Sequence, residues 1–185
     1  MDKVEAFRAL HVPGDPLVLF NIWDAGSAKA VADAGAKAIA TGSYGVAEAQ
    51  GFKDGETLPL EVVLENLRRI VSITELPVTI DMEAGYGETP DEVQVSVDRA
   101  REIGAVGINM EDRMPGKTAL LPVAEAAARI AGAARTGLHI NARTDVYRGI
   151  DHADYTPALI DAVVDRGHAF ADAGAGSLFV TALWS

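Results

Sequence analysis

Two acids, Asp81 and Glu83, lie two residues apart at the end of the apolar run Val78-Thr79-Ile80, and a third, Glu111, closes a second run, Val106-Gly107-Ile108-Asn109-Met110. A strand turns alternate side chains to opposite faces, so Val78, Ile80 and Met82 point one way and Thr79, Asp81 and Glu83 the other. The same period sets Val106, Ile108 and Met110 against Gly107, Asn109 and Glu111. Three carboxylates gathered at one partly desolvated mouth repel, so one is protonated or a cation lies among them. Oxygen ligands without His or Cys point to a hard ion, Mg²⁺ or Mn²⁺. A lone strand-end acid is as often a helix cap or the partner of a rim arginine such as Arg113 or Arg143, but three in register are harder to explain that way. A further run places His139, Asn141, Arg143 and Asp145 opposite Leu138, Ile140 and Ala142; the Arg143 guanidinium could grip a substrate carboxylate through two parallel N–H groups.

The elements that must carry these residues are well punctuated. A helix-like segment ends in Gly-Ala before an apolar run at Gly35-Ala36, Gly104-Ala105 and Gly174-Ala175, a spacing of about 70 residues, or two βα units. Thr89-Pro90-Asp91-Glu92 combines an N-cap, an N1 proline and a capping-box glutamate; Thr156-Pro157 repeats the first two, and Thr57 to Pro59 opens another helix. Strands are expected near 17–23, 37–42, 77–82, 105–110, 138–142 and 177–181, and helices near 26–34, 59–74, 90–103, 122–135 and 157–173. Such alternation fits a doubly wound sheet or a barrel. Polar residues at nearly every strand end favour a (β/α)₈ TIM-type barrel, in a single domain over 1–185 that holds about six of the eight βα units such a barrel needs.

The 185 residues are 49% apolar and contain no Cys, which excludes a disulfide framework, a thiolate metal site and a cysteine nucleophile or acid. A net charge of −11 argues against nucleic-acid binding, and no stretch suits a signal peptide or membrane span, so a cytoplasmic protein is expected. The glycines of Asp81-Met82-Glu83-Ala84-Gly85-Tyr86-Gly87 match neither a P-loop nor a dinucleotide fingerprint and are read as permitting a tight turn before Thr89. His11, His152 and His168 read as surface residues and His139 as a satisfied core histidine. Asp24 and Ser27 read equally as pocket or helix-cap residues, and the alanine-rich helix 122–135 as packing alone.

Together these segments resemble the isocitrate lyase and phosphoenolpyruvate mutase superfamily. The resemblance is carried, in family order, by Asn21-Ile22-Trp23-Asp24-Ala25-Gly26-Ser27-Ala28, Thr41-Gly42-Ser43-Tyr44, Gly51-Phe52-Lys53-Asp54, Asp81 to Gly87, Asn109-Met110-Glu111-Asp112 and Asn141-Ala142-Arg143-Thr144-Asp145. It implies a barrel whose Mg²⁺ is held, directly or through water, by Asp81, Glu83 and Glu111, with Asp54 nearby in a mobile segment. It also implies a small 2-oxo or enol carboxylate substrate, bound by Gly42, Ser43 and Tyr44, with Arg143 clamping the far end; by its place at the end of the first strand, Trp23 could line the same pocket. A metal acting as Lewis acid beside fixed donors suits an enolate.

The chain departs from the family after Glu111. The isocitrate-type lyases have a Lys-Lys-Cys-Gly-His loop there, whereas this chain has Arg113-Met114-Pro115-Gly116-Lys117-Thr118-Ala119-Leu120. The mutases have Lys-Thr-Asn, matched here by Lys117 and Thr118 but not by Ala119. The chain looks closest to the phosphonomutase-like members. The preferred expectation is Mg²⁺-dependent C–C cleavage of a small 2-hydroxy or 2-oxo acid through a pyruvate-type enolate, with Lys117 or Asp54 as proton carrier. The alternatives are P–C chemistry on the same site, and a non-catalytic fragment or carboxylate-binding protein. A homo-oligomer is expected, because six strands leave two sheet edges to be covered.

Overall fold

Most helix-to-strand junctions are made by a residue that the right-handed helix cannot continue through. Gly104, at φ +118°, ends one helix in the left-handed conformation that side chains avoid, and Gly35 and Gly174 take the same sign of φ. The computed structural model describes residues 2–183. The order is α1 (Lys3–Arg8), β1 (Asn21–Ile22), α2 (Ala25–Asp33), β2 (Ile39–Thr41), α3 (Ser43–Ala49), α4 (Leu60–Val71), β3 (Val78–Asp81), α5 (Pro90–Ile103), β4 (Gly107–Glu111), α6 (Val123–Ala134), β5 (His139–Thr144), a 3₁₀ turn (His152–Asp154), α7 (Pro157–Asp172) and β6 (Ser177–Val180).

The six strands form one parallel sheet in the order β1-β2-β3-β4-β5-β6, five successive βα units and a sixth strand of a TIM-type fold among the described residues. Val78, Ile80, Met82, Ile108, Met110, Ile140 and Ala142 pack outward with the buried stripes of the helices, such as Val63, Leu64, Leu67 and Ile70 of α4. On the inner face, register aligns Asp81 with Asn109, Asn109 with Asn141, Glu111 with Arg143, and Asn141 with Ser177. α1 closes the amino-terminal end of the strands by packing Phe7 on Ala38 and Val106, and on the ring of His139.

Helix starts follow the sequence signals unevenly. Thr89 and Glu92 form the expected capping box, and Asp24 forms another with Ser27, which makes these two residues a helix cap. Thr156 makes no capping bond, and α4 follows Pro59, the last residue of the stretch expected to open it. Two expectations are corrected. Only Asn21 and Ile22 of the run 17–23 pair as a strand, because β1 lies at the sheet edge with one neighbour; Leu17 and Leu19 instead pack near Phe7. The short helices α1 and α3 lack the length that makes a helical period legible. Among the described residues, no helix is long and apolar enough to cross a membrane.

α5 and α6 approach so closely that a Cβ on Gly132 would lie 2.2 Å from the carbonyl oxygen of Pro90. Gly132→Ala should therefore lower stability by about 1–3 kcal/mol despite alanine's better helix propensity. Thermal denaturation followed by circular dichroism checks the sign: a loose contact would give a higher Tm in the variant, a tight one a lower Tm.

Candidate active site at the carboxyl ends of the strands

Asp81, at the end of β3, is gripped on both oxygens. The Ser43 N–H donates to Oδ2 at 3.1 Å, while Asn109 Nδ2 at 3.2 Å and the Glu83 N–H at 3.1 Å donate to Oδ1. Three of its four lone-pair directions are used, and one is left for a further donor or a cation. Ser43 opens α3, so that short helix exists where it orients this carboxylate.

Glu83 lies just beyond the strand with φ +49°, a strained conformation for a side chain with a Cβ. The turn swings its carboxylate onto the segment after Asp54: the Gly55 and Glu56 N–H groups donate to Oε2 at 2.7 and 2.8 Å, and the Tyr86 hydroxyl to Oε1 at 3.2 Å. Glu56 and Tyr86 also have positive φ, +54° and +50°, so three of the four such non-glycine residues in the described chain border one carboxylate. Burial pushes the Glu83 carboxyl up to about 7, and the charges of Asp54 and Asp81 push the same way.

Glu111 sits opposite Arg143 in the β4–β5 register and meets its guanidinium at 3.0 Å. Burial outweighs that partner and raises Glu111 to about 7, with Asp145 and Asp81 adding to the rise. Arg143 also donates through Nε and Nη2 to Asp145 at 2.7 and 3.2 Å. Asp145 further accepts from Arg148 at 3.0 Å and pairs with Arg113 at 3.5 Å. Three arginines and two acids thus rim one side of the mouth.

The remaining expected residues are placed as follows. Trp23 is half exposed, with its carbonyl accepting from Asn66 Nδ2 at 2.9 Å. Gly42 precedes α3 where a Cβ would lie 3.0 Å from Asn21 Nδ2, and Tyr44 is exposed on the first turn of that helix. Asp54 precedes the two amides that bind Glu83. Lys117 lines an open cleft of about 450 Å³ with Glu56, Tyr86, Glu88, Met114 and Pro115. Glu83 and Glu111 each feel the charge of Asp81, but among the described residues no three His, Cys, Asp or Glu side chains are grouped closely enough to chelate an ion by themselves.

Two residues that shape the site were given no role by the sequence reading, although Asp112 stands in one of its motifs. Arg129, on the alanine-rich α6, is buried and donates to the carbonyls of Ala84, Gly87 and Glu88 at 2.7–2.8 Å, bracketing the loop after Glu83. An arginine among the buried-face residues Ala126, Ile130 and Ala133 was the available signal. Asp112 is buried and accepts from the Thr144 hydroxyl at 2.6 Å, the Asp145 N–H at 3.0 Å and Arg166 at 3.1 Å, tying α7 to the ends of β4 and β5.

With the geometry in place, comparison decides the family. The phosphoenolpyruvate phosphomutase family profile matches residues 7–184. The chain belongs to that family. An uncharacterised protein of Mycobacterium tuberculosis H37Rv is 34% identical over 177 residues, covering 95% of this chain and 64% of its own. The 2-methylisocitrate lyase of Salmonella typhimurium LT2 is 30% identical over 189 residues, covering 97% and 62%. The chain therefore spans less than two thirds of the length of those relatives. A crystal structure from Burkholderia cenocepacia J2315, provisionally named a phosphonomutase, is 49% identical with a TM-score of 0.95, covering all of this chain and 77% of that one. Phosphonopyruvate hydrolase, solved with oxalate and Mg²⁺, is 25% identical with a TM-score of 0.84, covering 97% and 63%.

The inner face also makes a pH-dependent contribution to stability. His139, 4% exposed, is held down to about 4 by burial, with the charges of His11 and Arg8 adding to the effect. The folded protein refuses a proton that the unfolded chain accepts below 6.5, so stability is full above that value and falls as pH drops toward 4. By pH 5 the loss should reach about 2 kcal/mol. Urea unfolding of the native protein and of His139→Gln at pH 7.5 and pH 5 should show the native advantage shrinking by that amount; an unchanged difference would mean that the imidazole is solvated.

Proposed function

We propose that this chain carries the site of a Mg²⁺-dependent lyase, with Mn²⁺ able to substitute, that breaks a C–C bond of a small 2-hydroxy or 2-oxo carboxylate through a pyruvate-type enolate. The observation that carries the reading is Asp81, fixed on both oxygens with one acceptor direction left, beside two further acids, Glu83 and Glu111, that feel its charge. The donor set fits a hard ion that dehydrates reluctantly: Asp81 would hold it directly, and Glu83 and Glu111 through its waters. Bound there, Mg²⁺ would supply the Lewis-acid charge that favours an enolate over its parent acid.

The protein's own groups do the rest. Arg143, kept in place by Glu111 and Asp145, presents a guanidinium to the distal carboxylate of the substrate. The segment Gly42-Ser43-Tyr44 borders the same acids, and its unused donors would meet the carboxylate next to the reacting carbon. A proton lost at that carbon would pass to Lys117 or Asp54, and one gained would come from the same group; Lys117 lines the cleft beside Tyr86 and Asp54 begins the segment that caps Glu83. The 2-methylisocitrate lyases among the relatives, and the oxalate and Mg²⁺ bound by phosphonopyruvate hydrolase, support this reading.

P–C bond chemistry is the second reading, favoured by the fold match to the provisionally named phosphonomutase. Phosphorus-31 NMR of phosphonopyruvate with protein and Mg²⁺ separates the two, since only the second reading produces a changed phosphorus resonance. Retention of the pocket for carboxylate binding alone is the third. For the shared site, calorimetry should detect oxalate binding that requires Mg²⁺, disappears with EDTA and is lost in Asp81→Ala and Asp81→Asn. Oxalate affinity unchanged in folded Asp81 variants would refute the assignment.

A further inference from the structure

Asp81 is the last member of a line of side chains that crosses four strands on the inner face. Asn109 Nδ2 donates to Asp81 Oδ1 at 3.2 Å, and Asn141 Nδ2 donates to Asn109 Oδ1 at 3.0 Å. The Ser177 hydroxyl donates to Asn141 Oδ1 at 2.7 Å, and His139 Nε2 lies 2.9 Å from Ser177 Oγ. Asp81, Asn109, Asn141 and Ser177 occupy one rung of the sheet in direct register, and His139 reaches that rung from the layer below.

The direction of the line is dictated from one end. An ionised carboxylate can only accept, so Asn109 must turn its amide nitrogen to Asp81 and its oxygen to Asn141. Asn141 must then do the same toward Ser177, whose single proton is committed to Asn141. Ser177 can only accept from the imidazole, which fixes His139 as the neutral tautomer protonated on Nε2. Four donors in series point at one carboxylate. Two glycines make the room: a Cβ on Gly176 would lie 2.6 Å from the His139 ring, and one on Gly107 would lie 2.8 Å from the His139 carbonyl and 3.1 Å from Thr79 Oγ1.

We infer that His139, Ser177 and Asn141 are positioning residues for Asp81: together with Asn109 they form a polarised relay that fixes the plane of its carboxylate and stabilises its negative charge without placing a cation under the site. The inference rests on the reading of Asp81 as the acid that holds Mg²⁺. It explains why four polar side chains occupy consecutive strands where core packing alone would accept apolar ones. These bonds are part-buried, and aligned hydrogen bonds reinforce one another where water is partly excluded, so a break two links away should be felt at Asp81.

The test joins a spectroscopic and a binding readout. Long-range ¹H–¹⁵N NMR should show His139 protonated at Nε2 and bare at Nδ1; the opposite tautomer would overturn the relay. Asn141→Asp reverses the line, because Asn109 must then offer its amide nitrogen to residue 141 and its oxygen to Asp81. The Kd for oxalate with Mg²⁺ should rise by about tenfold in Asn141→Asp and by about threefold in Ser177→Ala, and Ser177→Thr should restore it. A structural role alone would lower Tm while leaving Kd at the native value in the folded variants, and that result would sink the inference. If Asn141→Asp does not fold, the Ser177→Ala and Ser177→Thr pair decides. If the native protein binds no oxalate with Mg²⁺, the functional reading fails, and the tautomer alone decides whether the relay exists.

Discussion

Carboxylates that burial deprives of water repel one another, and the upper half of this structure is organised around three of them. Asp81, Glu83 and Glu111 are brought to one mouth by the parallel register of β3 and β4, and burial alone would make Glu83 and Glu111 poor anions. Each is answered differently. Asp81 receives two backbone N–H groups and the Asn109 amide, Glu83 two backbone amides and a phenol, and Glu111 a guanidinium. Neutral donors dominate on the β3 side and cations on the β5 side, so the site is polarised from one wall to the other.

Meeting that demand bends the backbone. Glu56, Glu83 and Tyr86 adopt left-handed conformations that turn amide donors and acceptor carboxylates toward one another, at a cost of order 1 kcal/mol or more for each residue. The loop that results is clamped from outside by Arg129, which takes three of its carbonyls, and by Ser96, whose hydroxyl donates to the Tyr86 carbonyl at 2.7 Å. The buried Asp112–Arg166 pair performs the same service for the ends of β4 and β5. Secondary structure far from the mouth thus holds strain at the mouth.

Much of this was legible in sequence because it follows short periods. The alternation at 78–81 and 107–111 gave the strand faces, and Gly35, Gly104 and Gly174 marked the unit boundaries. Long-range polar partners were not legible. Nothing local pairs Arg129 with the 84–88 loop or Arg166 with Asp112, residues about 40 and 54 apart that meet only when helices pack on the sheet. Asn109, Asn141 and His139 could be assigned to the inner face, but their joining to Ser177 depends on the β5–β6 register, which no single segment encodes. α3 was hidden for a different reason: with two glycines in the eight residues from Gly42 to Ala49, its helical character rests on tertiary contacts.

The central claim is that Asp81 is the acid through which a divalent ion is held, with Glu83 and Glu111 acting across its water shell. Anomalous diffraction from crystals of this chain grown with Mn²⁺ tests it most directly. The account predicts a single strong peak bonded to an Asp81 oxygen and separated from Glu83 and Glu111 by ordered water. A peak on other ligands, or none beside Asp81 at saturating Mn²⁺, would contradict it.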